Sequence, residues 1–173
     1  MKKLTQLLFV FIILFAACDK EETPELKNLM TFDNAQFTIK SGVIETSHWN
    51  QDRTTFHILL IDTELSKQNY LEHNMEAVKG ASFINFDLDS TYNNFDYRLE
   101  GNNCYEATWD FPGMITIDFD ADKELLTHEL NSGNFCISKA GEIFDVEFNG
   151  TTTTGKNVSL YYSGKLIEIE VFE

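Results

Sequence analysis

Apolar and polar residues alternate with period two along most of this chain, which is the pattern of strands with one buried face. Phe37 and Ile39 alternate with Thr38 and Lys40, and Ile84, Phe86 and Leu88 with Asn85, Asp87 and Asp89. Tyr105, Ala107 and Trp109 alternate with Glu106, Thr108 and Asp110, and Ile115, Ile117 and Phe119 with Thr116, Asp118 and Asp120. The run Phe56-His57-Ile58-Leu59-Leu60-Ile61 is apolar on both faces and predicts a central strand. Toward the C-terminus come four more runs: Phe135 and Ile137; Phe144, Val146 and Phe148; Val158, Leu160 and Tyr162; Ile167, Ile169 and Val171. They are separated by Lys139-Ala140-Gly141, by a polar stretch from Asn149 to Lys156 and by Ser163-Gly164-Lys165. Short connections containing glycine are hairpin signals, so these runs predict a four-stranded antiparallel meander. Helical spacing occurs only at Leu71, Met75 and Val78, which fall at i, i+4 and i+7. The expected fold is all-β: an antiparallel β-sandwich or small β-barrel of about 8–10 strands, closed by the C-terminal meander, with at most one short helix.

Composition narrows the picture. A chain of 173 residues suits one domain and buries a core without staples. With 28 acidic against 13 basic side chains the net charge is −15. That argues against nucleic acid, whose phosphates need Lys and Arg to neutralise them, and against docking on anionic lipid.

The first residues follow a different rule. Met1-Lys2-Lys3 is followed by an apolar run from Leu7 to Phe15, the small pair Ala16-Ala17, and Cys18. The uncharged stretch Leu4 to Ala17 is 14 residues, short of the roughly 18 that a membrane-spanning helix needs. It reads as a secretory signal peptide. The expected organisation is a signal at 1–17, an acidic tether at 18–30 and one all-β domain at 31–173.

Phe15-Ala16-Ala17-Cys18 resembles the lipobox of bacterial lipoproteins, with Phe15 in place of the usual Leu. The resemblance implies that the Cys18 thiol carries a diacylglyceryl group and becomes the first residue of the mature protein, held on a membrane by its lipid. Asp19-Lys20-Glu21-Glu22 resembles the acidic export signal of Bacteroidetes surface lipoproteins. That resemblance implies anchorage in the outer membrane, with the cell surface preferred to the periplasmic face. The closing pattern of Gly133, Gly141, Phe144 to Phe148, Gly155-Lys156 and Tyr162 to Leu166 is similar to the end of many uncharacterised Bacteroidetes lipoproteins. It implies a fold and a source rather than a reaction.

Residues with chemistry to offer are few. Cys104 and Cys136 fall on the outward parity of their strands, 32 residues apart. In an oxidising compartment they either pair, worth about 3 to 4 kcal/mol by loop closure, or stand as two free thiols. Asp118, Asp120, Asp122 and Glu129 have the spacing of an EF-hand calcium loop. Lys123 stands where that loop needs Gly, however, and a strand precedes it, so an acidic surface loop is the preferred reading and no metal or cofactor is expected. His48, His57, His73 and His128 lack zinc spacing. His57, mid-strand among apolar neighbours, is expected to be a hydrogen-bonded core residue. Trp49 and Tyr161 are candidates for stacking on a sugar ring. Asp89-Ser90-Thr91 resembles the Bacteroidetes O-glycosylation motif, with Ser90 as acceptor. No catalytic signature is present.

The expected function is a non-enzymatic binding domain held on a membrane through Cys18, with a glycan or an envelope protein as ligand. The alternatives are an envelope or polysaccharide hydrolase using paired carboxylates, and an envelope inhibitor or protective protein; Asp87 and Asp89, two apart on one strand, sit too close and too exposed to be singled out as that pair. A cleft that gathers His57 with several buried carboxylates would favour the enzyme.

Overall fold

The computed structural model describes residues 28–50, 53–93, 96, 98–99, 101–119 and 126–172. The expected signal peptide, Cys18 and most of the expected tether lie outside them. The fold is all-β, as the alternation predicts. Its strands are β1 (Leu29–Phe32), β2 (Ala35–Thr38), β3 (Ser41–Asn50), β4 (Arg53–Ile61), β5 (Phe83–Asp89), β6 (Asn103–Ala107), β7 (Gly113–Ile117), β8 (Leu126–Ala140), β9 (Ile143–Thr152), β10 (Asn157–Gly164) and β11 (Ile167–Phe172). Among the described residues, helical structure is limited to α1 (Lys67–Leu71), a 3-10 turn at Met75–Val78 and α2 (Ser90–Asn93).

All eleven strands belong to one curled mixed sheet, a half-barrel, in the order β11-β3-β4-β5-β7-β8-β9-β10-β1-β2 with β6 also on β8. The 15-residue β8 links its two halves, pairing with β7 through Leu126 to Glu129 and with β6 through Gly133 to Ile137. Between them the register slips by one residue at Asn131, whose carbonyl accepts from the Phe111 N–H. A bulge of this kind bends its strand, and β8 changes neighbours there.

β8, β9 and β10 form the expected meander. The fourth run does not extend it: β11 crosses to the far end of the sheet and pairs in parallel with β3. Both edges of β10 are already taken, by β9 and by β1, so no antiparallel place remains there. The domain also begins earlier than the sequence predicts. Leu29 lies in β1 and Met30 is fully buried in the core, so these two residues of the expected 18–30 tether belong to the sheet.

The inner face of the curled sheet holds the main core, with Phe86 at its centre. Its ring lies 4.6 Å from that of Phe135, 5.3 Å from Phe148 and 6.1 Å from Phe111. Gly133 and Gly150 face each other across β8 and β9 beneath the Phe148 ring. A methyl group on Gly133 would come within 2.4 Å of that ring, so close approach of backbone to ring, rather than a turn, requires glycine there. A second, smaller core lies on the outer face of β3, β4, β5 and β11. There Val43, Ile61 and Ile169 meet Leu65 and Ala81 from the segment carrying α1 and the 3-10 turn.

Leu71, Met75 and Val78 do not share one helical face. α1 ends after Leu71, His73 takes a left-handed conformation at φ 50°, and a separate 3-10 turn follows. Leu71 is consequently 54 % exposed, and Leu65, Tyr70 and Val78 make the contact with the sheet.

Candidate functional site

The outer face of β3, β4 and β5 is built in rungs. Ser41, Ile61 and Phe83 form one; Val43, Leu59 and Asn85 the next; Glu45, His57 and Asp87 the third. Directly opposed residues of antiparallel strands share a face with Cβ atoms about 5 Å apart, so the register alone lines up these side chains. The first two rungs are mostly apolar and the third is fully ionisable.

The covering segment is pinned at several points. Ser41 Oγ donates to the Thr63 carbonyl at 2.6 Å and accepts from the Leu65 N–H at 3.0 Å. Ser66 caps α1 by accepting from the Asn69 N–H at 3.1 Å, which meets one of the unpaired donors at a helix start. Past the 3-10 turn, the Gly80 N–H bonds to the Phe119 carbonyl and the Phe119 N–H to the Ala81 carbonyl. Phe119 thereby departs from its predicted parity with Ile115. The left-handed conformation of Asp118, φ 48°, ends the strand and brings Phe119 against Phe83 of the outer face, with 6.0 Å between ring centroids.

Between this cover and the sheet lies a pocket of about 380 Å³. Leu59, Ile61, Leu65, Val78, Phe83 and Phe119 supply its apolar walls. His57, Asn69, Tyr70, His73 and Asn74 supply its polar side. Asn85 also lines it. That residue is only 7 % exposed, and its Oδ1 is a buried acceptor with no hydrogen-bond partner in the protein. An unmet buried acceptor costs about 1 to 3 kcal/mol.

Two hydrogen-bonded pairs stand at the ionisable rung. His57 Nδ1 lies 2.6 Å from Asp87 Oδ1, so Nδ1 carries the proton and donates. The Tyr70 hydroxyl donates to Glu45 Oε2 at 3.2 Å. Burial pushes the Tyr70 pKa well up, and the charges of Glu45 and Asp87 add to it, so this phenol remains a donor. His57 is hydrogen-bonded, as expected, but it lies on the outer face at the pocket rim instead of in the core. Strand parity is the reason: Phe56, Ile58 and Leu60 fill the inner face, and the odd-numbered side chains point outward.

The carboxylates beside His57 are not buried in the pocket. The Asp87 side chain is 60 % exposed. Its near neighbour on β5, Asp89, serves a different purpose. Burial works against its charge, but hydrogen bonds from Arg53 and from the Thr91 and Tyr92 N–H groups outweigh that and lower its pKa. Asp89 thus anchors Arg53 at 2.8 Å and caps the turn at α2.

Trp49 is the extra residue of a bulge between β3 and β4 and is 48 % exposed. Its indole N–H donates to Thr55 Oγ1 at 3.1 Å, and the Arg53 guanidinium lies over its ring at 5.7 Å. Tyr161 is on β10, opposite Leu29 and Glu147, with β4, β5, β7, β8 and β9 between it and β3 in the strand order. The two aromatics therefore do not form one platform. Cys104 and Cys136 face each other on β6 and β8 and are joined by a disulfide. Ser90 Oγ accepts from the Thr54 N–H at 2.9 Å, so the oxygen proposed for glycosylation already holds α2 against β4.

Of the calcium candidates, Asp120 and Asp122 lie outside the described residues. Asp118 is exposed, and Glu129 pairs with Met114 on β7. Among the described residues no three His, Cys, Asp or Glu side chains gather as metal ligands. No protein-family model matches the chain, and neither a curated protein nor a solved structure matches it.

Proposed function

We propose that this chain is a membrane-tethered binding protein, held by a lipid on Cys18 at the outer membrane and facing the cell surface. Its β domain holds a small organic ligand in the pocket between α1 and the outer face of β4 and β5, and carries out no reaction on it. The observation that carries this reading is Asn85, a buried amide whose unmet acceptor stands among the apolar walls of the pocket, with the polar side facing them. Binding pockets combine apolar walls with a few placed polar groups in this way. The hydrolase alternative is less well supported, because acid–base chemistry calls for buried titratable groups, whereas the Asp87 side chain beside His57 is 60 % exposed and Glu45 is only half-buried. A glycan strand lying on Trp49 is the second reading, favoured by the indole ring that Thr55 and Arg53 hold half exposed.

The pocket is tested with 2-naphthol, an aromatic body with one hydroxyl donor, against naphthalene. One saturable site is expected, with 2-naphthol bound about fivefold to tenfold tighter, as one hydrogen bond to a buried acceptor would provide. Asn85→Leu should erase the difference between the two, and Leu59→Trp should block both while leaving the circular dichroism spectrum unchanged. Binding that is indifferent to both substitutions would place the ligand elsewhere.

A further inference from the structure

The rim of the same pocket bears on what kind of ligand it takes; the inference rests on the binding reading above and deepens it. Glu45 and Asp87 flank His57 on the rung where the apolar walls end. Among the described residues each carboxylate takes one donor, the Tyr70 hydroxyl for Glu45 and the His57 N–H for Asp87. A carboxylate has about four acceptor sites, so both keep most of their capacity for an incoming donor.

The described residues that line the pocket include no Lys or Arg. Lys67 of the cover donates to the Glu168 carbonyl at 3.0 Å. Deeper in, the unpartnered Asn85 Oδ1 is one more acceptor. Aromatic walls from Phe83 and Phe119 suit a flat apolar body. Around the whole site, a net charge of −15 draws cations in and holds anions off.

We infer that the pocket takes a cationic amphiphile: an apolar, ring-sized body seated on Leu59, Phe83 and Phe119, with a protonated amine at the rim between Glu45 and Asp87. The amine is all donor and the rim is rich in acceptors, which is the match a site of this chemistry selects. An anionic amphiphile of the same shape meets two carboxylates and no Lys or Arg in the lining. A neutral alcohol gains the apolar walls and one hydrogen bond, without the charge attraction at the rim.

Three ligands of one shape separate the terms: 2-naphthylmethylamine, 2-naphthylmethanol and 2-naphthoate, measured by calorimetry at low and at moderate salt on the folded domain. The amine should bind about tenfold tighter than the alcohol, and the carboxylate weakest of the three. Glu45→Gln and Asp87→Asn should each remove much of the amine's advantage and leave the alcohol unchanged. Added salt should narrow the gap, since charges at an exposed rim are screened. Equal binding of amine and alcohol, or an amine preference that survives both substitutions, overturns the cationic assignment while leaving the pocket in place. Failure of all three to bind overturns the pocket as well.

Discussion

His128 sits against the Phe32 ring, 4.9 Å between centroids, with Lys156 over the other partner of that contact. Burial first, and the Lys156 charge second, lower its pKa below the ordinary value near 6.5. The folded protein therefore binds a proton at this site less readily than the unfolded chain, and stability falls as pH drops below about 6.5, until the folded-state value is passed. Asp89 acts in the same direction at lower pH. Its depressed pKa contributes stability above the unfolded carboxyl value of about 3.9, which is lost as pH falls through the folded value. Urea midpoints measured from pH 7.5 to 5 should decline with acid, and His128→Gln should flatten that slope. An unchanged slope would exclude His128 as its source.

At the scale of elements, β9 and β10 are legible from sequence because Phe144, Val146 and Phe148, then Val158, Leu160 and Tyr162, bury one clean face. β3 is not, because Val43 and Ile44 bury opposite faces and the strand then turns polar. The partner of β11 was equally hidden, since it depends on which edges of β10 the distant β1 has taken. The site follows the same logic. His57 and Trp49 can be picked out as residue types, but Glu45, Tyr70 and Asn85 become part of a site only through the register of three strands and the turn at His73. The disulfide adds one more cross-link at this scale. It closes a loop with a sequence separation of 32, and its removal by reduction, or by Cys104→Ala with Cys136→Ala, should cost about 3 to 4 kcal/mol in urea unfolding. A loss below about 1 kcal/mol would mean that the pairing contributes little to the unfolded-state entropy.

For the molecule as a whole, the pairings that close the sheet join the ends of the chain: β1 with β10, and β3 with β11. Such non-local topology is slow to fold. The tether makes a separate claim. Cells grown with labelled palmitate should mark this protein, and Cys18→Ser should abolish both the label and its recovery with membranes. Retention of both by that variant would remove the anchor from the account. Strand β8 has its own consequence at this scale. Because it runs unbroken through the bulge at Asn131 and lends backbone to β7 on one side of that point and to β6 and β9 on the other, the pocket-bearing half and the half that holds β1 share a spine. Loosening β8 would therefore disturb both halves together, and the two are expected to unfold in one cooperative transition.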